Sequence, residues 1–470
     1  MTARRTTILP RHRVGGFAVT ALTVAGLVAC SSSGSSSPAS DPGGSAALGA
    51  GIPPVTGSTT HVTSARKTVT VTVPEGMRNS PFDKTRRVQL PSGWHMAVWA
   101  RVPGARTEVW APDGRLVVSR PGNGDVVALT PHGSKAPTRS TLASNLREPF
   151  GLAFHGSTLY VGESHQIDSY TYRKGKLSSR RVIVSGLPDS KSAQLHGTYA
   201  HALKALAIGR DGSVYISVGS SANISTEDRT ASPPRAVILK WSPTTKRTTV
   251  FARGVRNGSA LGLDPAGALW TGMNNRDNMP YPFHRAFDGS GSSDYGKVIQ
   301  SYVNDHPLEP VAKVTAGRDL GWPYCDPDPS VRPGAKGSAL AYAKRPFVND
   351  PDTNPTGSHL DCAKLPRLEQ GLPAHSAPLG LSFTTLPKPY GVGALVTSHG
   401  SWNRTPPRPP SVTFFPWRNG TLGNAVPLVT GFQDSDGSRW GRTVDTVAGP
   451  DRALYLSDDD AGAIYRITTR

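Results

Sequence analysis

No run of the sequence is apolar for long enough to cross a bilayer as a helix: the best candidate, residues 14–29, has sixteen residues where a span needs ~20. Sustained amphipathic helical periodicity is missing too. With 50 Gly and 42 Pro cutting the chain into short pieces, that absence points to an all-β protein. There is no complete Gly-x-x-x-x-Gly-Lys-Ser/Thr phosphate loop, no His-Glu-x-x-His zinc helix and no Gly-x-Ser-x-Gly elbow between a strand and a helix. Phosphate-loop nucleotide hydrolysis, zinc proteolysis and serine-esterase chemistry therefore lose their usual machinery. Acidic residues are scarce, 33 against 52 Lys and Arg, and no acidic run of the EF-hand kind occurs. The formal charge is +19; without the four arginines before residue 14 it is 48 − 33 = +15. These basic residues are scattered instead of gathered into a patch. That argues against nucleic acid and for a solvated surface, with a few arginines reserved for an anionic ligand.

The short apolar run follows Arg4, Arg5, Arg11 and Arg13, the layout of an export signal. It ends in Leu27-Val28-Ala29-Cys30, which resembles a bacterial lipobox, whose cysteine is lipidated and becomes the mature N-terminus. The expected organisation is a lipoprotein signal peptide over 1–29, lipidation at Cys30 and a flexible Ser/Gly/Pro tether over 30–60. A folded domain over 61–470 would then be anchored on the extracytoplasmic face of the cell membrane. An ordinary cleaved signal with an incidental cysteine is the alternative. Of the three cysteines, Cys325 and Cys362 remain, and an oxidising, exported setting favours a disulfide between them.

A turn-then-strand unit recurs through the rest of the chain. Its clearest copy is Asp211-Gly212, a tight-turn dipeptide, followed by Val214, Ile216 and Val218 alternating with Tyr215 and Ser217. Other copies surround Gly114, Gly156, Gly267 and Gly393, and a last one spans residues 451–457. Successive turn glycines lie 42, 56, 55 and 126 residues apart. Periods of ~40–50 residues holding several short strands belong to propeller blades. Six copies predict a six-bladed β-propeller, with the long gap read as a loop insertion between blades, about 278–386. A pair of β-sandwiches is the structural alternative.

Several motifs then occur in one order: the His201 stretch with Val218-Gly219-Ser220; Gly254-Val255-Arg256-Asn257; Asn275-Arg276-Asp277; Gly321-Trp322-Pro323-Tyr324-Cys325; Ala374-His375-Ser376-Ala377-Pro378; His399-Gly400-Ser401-Trp402-Asn403-Arg404; Gly441-Arg442; and Ser457-Asp458-Asp459. On these the chain, from about residue 90 onward, resembles the glucose/sorbosone dehydrogenase family and its sorbosone-dehydrogenase-type branch. These are six-bladed propellers that use pyrroloquinoline quinone (PQQ) with calcium.

The resemblance implies a PQQ-dependent oxidoreductase that acts on a sugar or sugar-derived aldehyde or polyol and passes electrons to an external acceptor. It implies His201 as the base that takes the hydroxyl proton, a role that suits a neutral imidazole. His196 is a second candidate for that role. Arg256 would stabilise the developing oxyanion, with Asn257 beside it. PQQ carries three carboxylates, which guanidinium forks suit: Arg442 matches a cofactor arginine, and His399 and Arg404 share a loop from which one contacts the cofactor. Trp402 or Trp440 could stack on it. Calcium would sit on the loop Asn274-Asn275-Arg276-Asp277, while Asp458-Asp459-Asp460 reads as a solvated turn or a further metal cluster. Ala202 departs from the Trp of sorbosone-type relatives, which leaves the sugar open. Two other classes remain: a cofactor-free propeller that binds envelope glycan or protein, and a calcium-dependent lactonase-like hydrolase.

Overall fold

The computed structural model describes residues 65–469 except 134, 193, 194, 196 and 198. The expected signal peptide, Cys30, the tether and His196 lie outside the described residues. Each recurring unit folds as the hinge between the innermost and second strands of a four-stranded antiparallel sheet. Blade 1 comprises Glu108–Trp110, Leu116–Arg120, Asp125–His132 and Lys135–Ala143. Blade 2 comprises Leu152–His155, Thr158–Gly162, Ile167–Arg173 and Lys176–Val184. Blade 3 follows with Leu206–Ile208, Val214–Val218, Val237–Trp241 and Thr248–Arg253, and blade 4 with Ala260–Leu263, Leu269–Gly272, Glu309–Val314 and Gln370–Leu372. Blade 5 holds Pro378–Leu386, Gly391–Ser398, Ser411–Arg418 and Val426–Val429. Blade 6 takes Thr443–Ala448, Leu454–Asp458 and Ala463–Thr469 from the C-terminal end, and its outer strand, Trp94–Arg101, from far earlier in the chain. Each innermost strand touches the next around the ring, so the six-bladed propeller is closed.

The hinge glycines Gly114, Gly156, Gly212, Gly267 and Gly391 have φ between 57° and 88°, where a side chain is strained; in blade 6 Arg452 takes φ 63°. The fifth turn is therefore at Gly391, not at Gly393. Gly393 lies inside the strand, where an added Cβ would stand 2.3 Å from Phe414.

The core is six wedges, one between each pair of neighbouring blades. Leu116 and Val118 face blade 6 beside Trp99 and Tyr455, whereas Val117, between them, faces blade 2 beside Leu159 and Val161. A strand buried on both faces reads as a continuous apolar run instead of an alternation. That explains the Leu-Val-Val and Ala-Leu-Val-like stretches of the sequence.

The long excursion corrects one expectation. It does not separate blades but interrupts blade 4 twice, over residues 273–308 and 315–369, on either side of the strand Glu309–Val314. Its expected end at 386 also takes in Pro378–Leu386, the innermost strand of blade 5. The first piece makes a small core of its own from Met279, Tyr281, Phe287 and Tyr302. The second carries the disulfide Cys325–Cys362, which closes a sequence separation of 37 residues. By loop-closure entropy such a cross-link stabilises the fold by roughly 3–4 kcal/mol.

Candidate active site

Because innermost and second strands run antiparallel, the starts of the former and the ends of the latter lie at one end of the ring. His201 precedes Leu206–Ile208, Arg256 and Asn257 precede Ala260–Leu263, and Arg442 precedes Thr443–Ala448. Ser220, the loop 274–277, His399 and Arg404 follow second strands. The topology thus brings every described residue of the expected site to the same end.

His201 anchors the first of two networks. Its Nδ1 lies 3.1 Å from the Ser220 carbonyl and 2.9 Å from Ser220 Oγ. The carbonyl can only accept, and the hydroxyl donates its own proton to Ala222 O at 2.7 Å. Nδ1 therefore carries the hydrogen, and Nε2 keeps its lone pair, as a base requires. Burial, and then the neighbouring Arg256 charge, push the imidazole down to about 3, so it is neutral at any working pH. Gly219 makes the approach possible: a Cβ there would stand 2.5 Å from His201 Cβ and 2.8 Å from His201 O.

Ser220 also joins the base to Arg256, since its N–H donates to Arg256 O at 2.7 Å. The buried Arg256 guanidinium donates to Asn223 O and Oδ1 at 2.9 and 2.8 Å and to Asn274 O at 3.2 Å, and it lies 3.4 Å from Asp277 Oδ2. Asn257 accepts from Ser259 and steers the loop rather than the guanidinium. The Asp277 carboxyl is held below its usual range, against the cost of its burial, by His375, Arg256 and Asn403. His375 Nδ1 is 3.6 Å from Asp277 Oδ1, while its Nε2 donates to Val303 O at 2.7 Å.

The loop 274–277 offers calcium little. The carbonyls of Asn274 and Asp277 accept from Arg256, Asn223 and Arg276. Asn275 bonds Glu309 and Leu308, and Arg276 turns away to Asp350 and Asp352. No group of three or more His, Cys, Asp or Glu capable of holding a metal occurs among the described residues. The oxygens of this loop are thus largely committed to Arg256, Arg276 and Asn223 and leave little for a cation.

The second network lies on blades 5 and 6. His399 Nε2 is 2.9 Å from Asp459 Oδ1, Asp459 pairs with Arg106, and Arg442 Nε donates to His399 O at 3.3 Å. His399 and Arg106 hold the Asp459 carboxyl at about 2 despite burial. Asp458 bonds Arg442 N, Ala461 N and Tyr465 OH, so these aspartates are structural partners and not a metal cluster. Residues 399 and 400 in turn bond the carbonyls of Ala377 and Ser376, which ties this network to the His375 segment.

Around the loop from His399 to Arg404 four guanidiniums gather. Arg439 donates to Ser401 O, Arg442 to His399 O and Arg404 to Asn304 O, while Arg408 bonds Ser401 through its backbone N–H and sends its guanidinium to Ala374 O at 2.8 Å. Arg408, Arg439 and Arg442 make no ion pair among the described residues, and Arg404 reaches Asp305 only at 3.9 Å. Burial, and then Arg404, push Arg408 down to about 10. Burial and Arg439 likewise lower Arg442. On the same loop Trp402 is 73 % exposed, whereas Trp440 is 4 % exposed and packed against Phe432, so Trp440 is core and only Trp402 offers a free face. Clustered cations short of direct ion pairs and an exposed indole fit a flat polyanion such as PQQ.

A family model described as TrAA12-like matches residues 88–470, all six blades. The chain belongs to the TrAA12-like family. An uncharacterized protein of Borreliella burgdorferi is 26% identical over 340 residues, 70% of this chain and 77% of that one. The holo form of the PQQ domain of pyranose dehydrogenase from Coprinopsis cinerea superposes with TM-score 0.68 at 19% identity, over 84% of this chain and 100% of that one. The calcium structure of the Trichoderma reesei family AA12 enzyme gives 0.65 at 20%, over 81% and 96%. At these identities the superpositions show a common fold. The expected kinship with PQQ-type sugar-dehydrogenase propellers is borne out.

In this TrAA12-like propeller a cavity of about 430 Å³ opens beside the two networks, lined by Arg106, Glu148, Tyr199, Ala202, Leu203 and Asp459 among others. It is of the size that small-molecule sites have. Ala202 leaves room in it that a Trp would fill. Sequence reasoning missed Asn223, Arg106, Arg408 and Arg439 altogether. His375 stood inside a quoted motif, and its φ of 60° marks a constrained position that no residue type announces.

Proposed function

We propose that the protein is a PQQ-dependent dehydrogenase that oxidises a sugar or sugar-derived aldehyde or polyol and delivers the electrons to an external acceptor. The observation that carries this reading is the set of four arginines, none with a carboxylate oxygen closer than 3.9 Å, that adjoin the loop carrying the exposed Trp402. Arg404, Arg408, Arg439 and Arg442 would take the cofactor carboxylates, and Trp402 its flat face. Bound there, PQQ supplies a two-electron acceptor for hydride. His201 Nε2 takes the proton of the substrate hydroxyl, and Ser220 holds the opposite nitrogen so that the ring stays in the required tautomer. Arg256, permanently charged and fixed by Asn223 and Asp277, faces the charge that develops as the substrate loses its hydrogen. Calcium, which the resemblance implies, is given no step, because the loop proposed for it is hydrogen-bonded to Arg256.

Titrating the apoprotein with PQQ tests this. Saturable binding with quenching of Trp402 fluorescence and sugar-dependent dye reduction are expected. Arg442→Gln should weaken binding by about tenfold or more, as the loss of one charge-assisted hydrogen bond does. Absence of PQQ binding would leave a cofactor-free propeller, and lactone hydrolysis without quinone would favour a hydrolase.

Attachment to the outer face of the cell membrane through a lipid on Cys30 belongs to the same proposal. Cys30→Ala should move the protein from the membrane fraction to the medium or periplasm; an unchanged membrane fraction would refute the anchor.

A further inference from the structure

The axis of the ring is not solid. A cavity of about 100 Å³ lies among the innermost strands, lined by residues of all six blades, including Glu108, Ser259, Ser382 and Asp445. It belongs to neither network of the candidate active site. Glu108 is 3 % exposed, and its carboxylate, which lies beside Ser457, makes no hydrogen bond of ordinary geometry. The hydroxyl of Ser457 cannot supply one, because it donates to Arg106 O at 2.6 Å. The Asp445 carboxylate is buried too and accepts from the backbone N–H groups of Glu108 and Thr446 at 3.0 and 2.9 Å.

The remaining polar groups point the same way. Ser382 donates its hydroxyl proton to Thr446 O at 2.6 Å, and Ser259 donates its own to Asn257 Oδ1 at 2.7 Å. Both oxygens are therefore left with lone pairs alone. None of the lining residues is Lys, Arg or His. Two carboxylates that repel each other thus share an oxygen-lined space with no protein cation, and burial pushes both above their ordinary range, Asp445 to about 6. A buried carboxylate needs a proton, a donor or a metal. Hard oxygens without nitrogen or sulfur select a hard cation, and two negative charges match a divalent one.

We propose that this axial cavity binds a divalent hard cation, calcium by its tolerance of irregular oxygen shells, between Glu108 and Asp445. Ser259, Ser382 and enclosed water would complete the shell. The ion would join blade 1 to blade 6, the two blades between which the ring begins and ends. The inference is independent of the dehydrogenase reading, since it concerns the apoprotein.

The test uses the full chain without PQQ, dialysed against chelator and then against Ca²⁺ or Mg²⁺. Metal content and Tm are measured for wild type, Glu108→Gln, Asp445→Asn and, as a control on the rim loop, Asp277→Asn. The expected result is one tightly held Ca²⁺ per chain and a Tm that rises with Ca²⁺ in wild type and Asp277→Asn. Both effects should be absent in Glu108→Gln, which keeps the shape of the side chain. Should that variant not fold, Asp445→Asn carries the same comparison. Equal Ca²⁺ content and equal Ca²⁺-dependent Tm shifts in wild type and the axial variants would overturn the proposal. So would a wild type that holds no metal, because Glu108 would then be a buried, protonated acid.

Discussion

His201→Ala should lower kcat by ~10²–10⁴-fold, the range that a positioned general base contributes, while PQQ affinity and Tm stay close to wild type. The imidazole meets the rest of the protein through one nitrogen, held by Ser220, so its removal breaks a single hydrogen-bonding arrangement. The arginines proposed to hold the cofactor lie on other blades. The loss should also be independent of pH between about 5 and 8, because burial and Arg256 hold the His201 pKa at about 3 and the base is already deprotonated throughout. Stability follows the opposite limb. The unfolded imidazole binds a proton below its ordinary value of 6.5, which the folded one refuses until about 3. The folded state is therefore disfavoured progressively as pH falls through that window. Steady-state kinetics with a dye acceptor and a parallel PQQ titration measure both parts. A variant that turns over at the wild-type rate would remove His201 from the mechanism.

Gly219→Ala should be almost as damaging, although the residue carries no chemistry. Its added methyl would stand 2.5 Å from His201 Cβ and 2.8 Å from His201 O, inside the ~3.5–4.0 Å at which carbon atoms rest. Backbone has to yield, and it yields at the base. Displacement of a catalytic group by about 1 Å costs on the order of 10²-fold in rate, and the overpacking costs ~1–3 kcal/mol of stability. The effect should fall on kcat more than on PQQ affinity, since Arg404, Arg408, Arg439 and Arg442 are carried by segments of blades 5 and 6. Measuring kcat, PQQ affinity and Tm on one preparation separates these effects. An unchanged kcat would show that the His201 loop absorbs the methyl without moving its ring.

The fold was legible where local chemistry and tertiary structure agree. A turn such as Asp211-Gly212 and the apolar run after it mark the hinge of a blade without reference to the rest of the chain. The interruption of blade 4 was not legible, because its fourth strand, Gln370–Leu372, has only three residues and lies among prolines and aspartates. Positions that precede innermost strands, such as His201, Arg256 and Arg442, could be found because each lies in a motif shared with the family that the chain resembles. The partners that give them their properties could not. Arg106 meets Asp459 across 353 residues of sequence, and Asn223 meets Asp277 across 54. Nor could the sequence reveal that Arg408 and Arg439 lack carboxylate partners, since an ion pair is a property of the folded surface.

The last blade draws its outer strand from Trp94–Arg101 and its other three from the final thirty or so residues of the described chain. During synthesis the early strand emerges first and waits, with apolar side chains such as Met96, Val98 and Trp99 unprotected, until the terminal strand Ala463–Thr469 arrives to pair with it. Maturation is therefore vulnerable for nearly the whole time of translation. A chain cut short by a single strand would be left with two adhesive margins that can find each other only on a neighbouring copy.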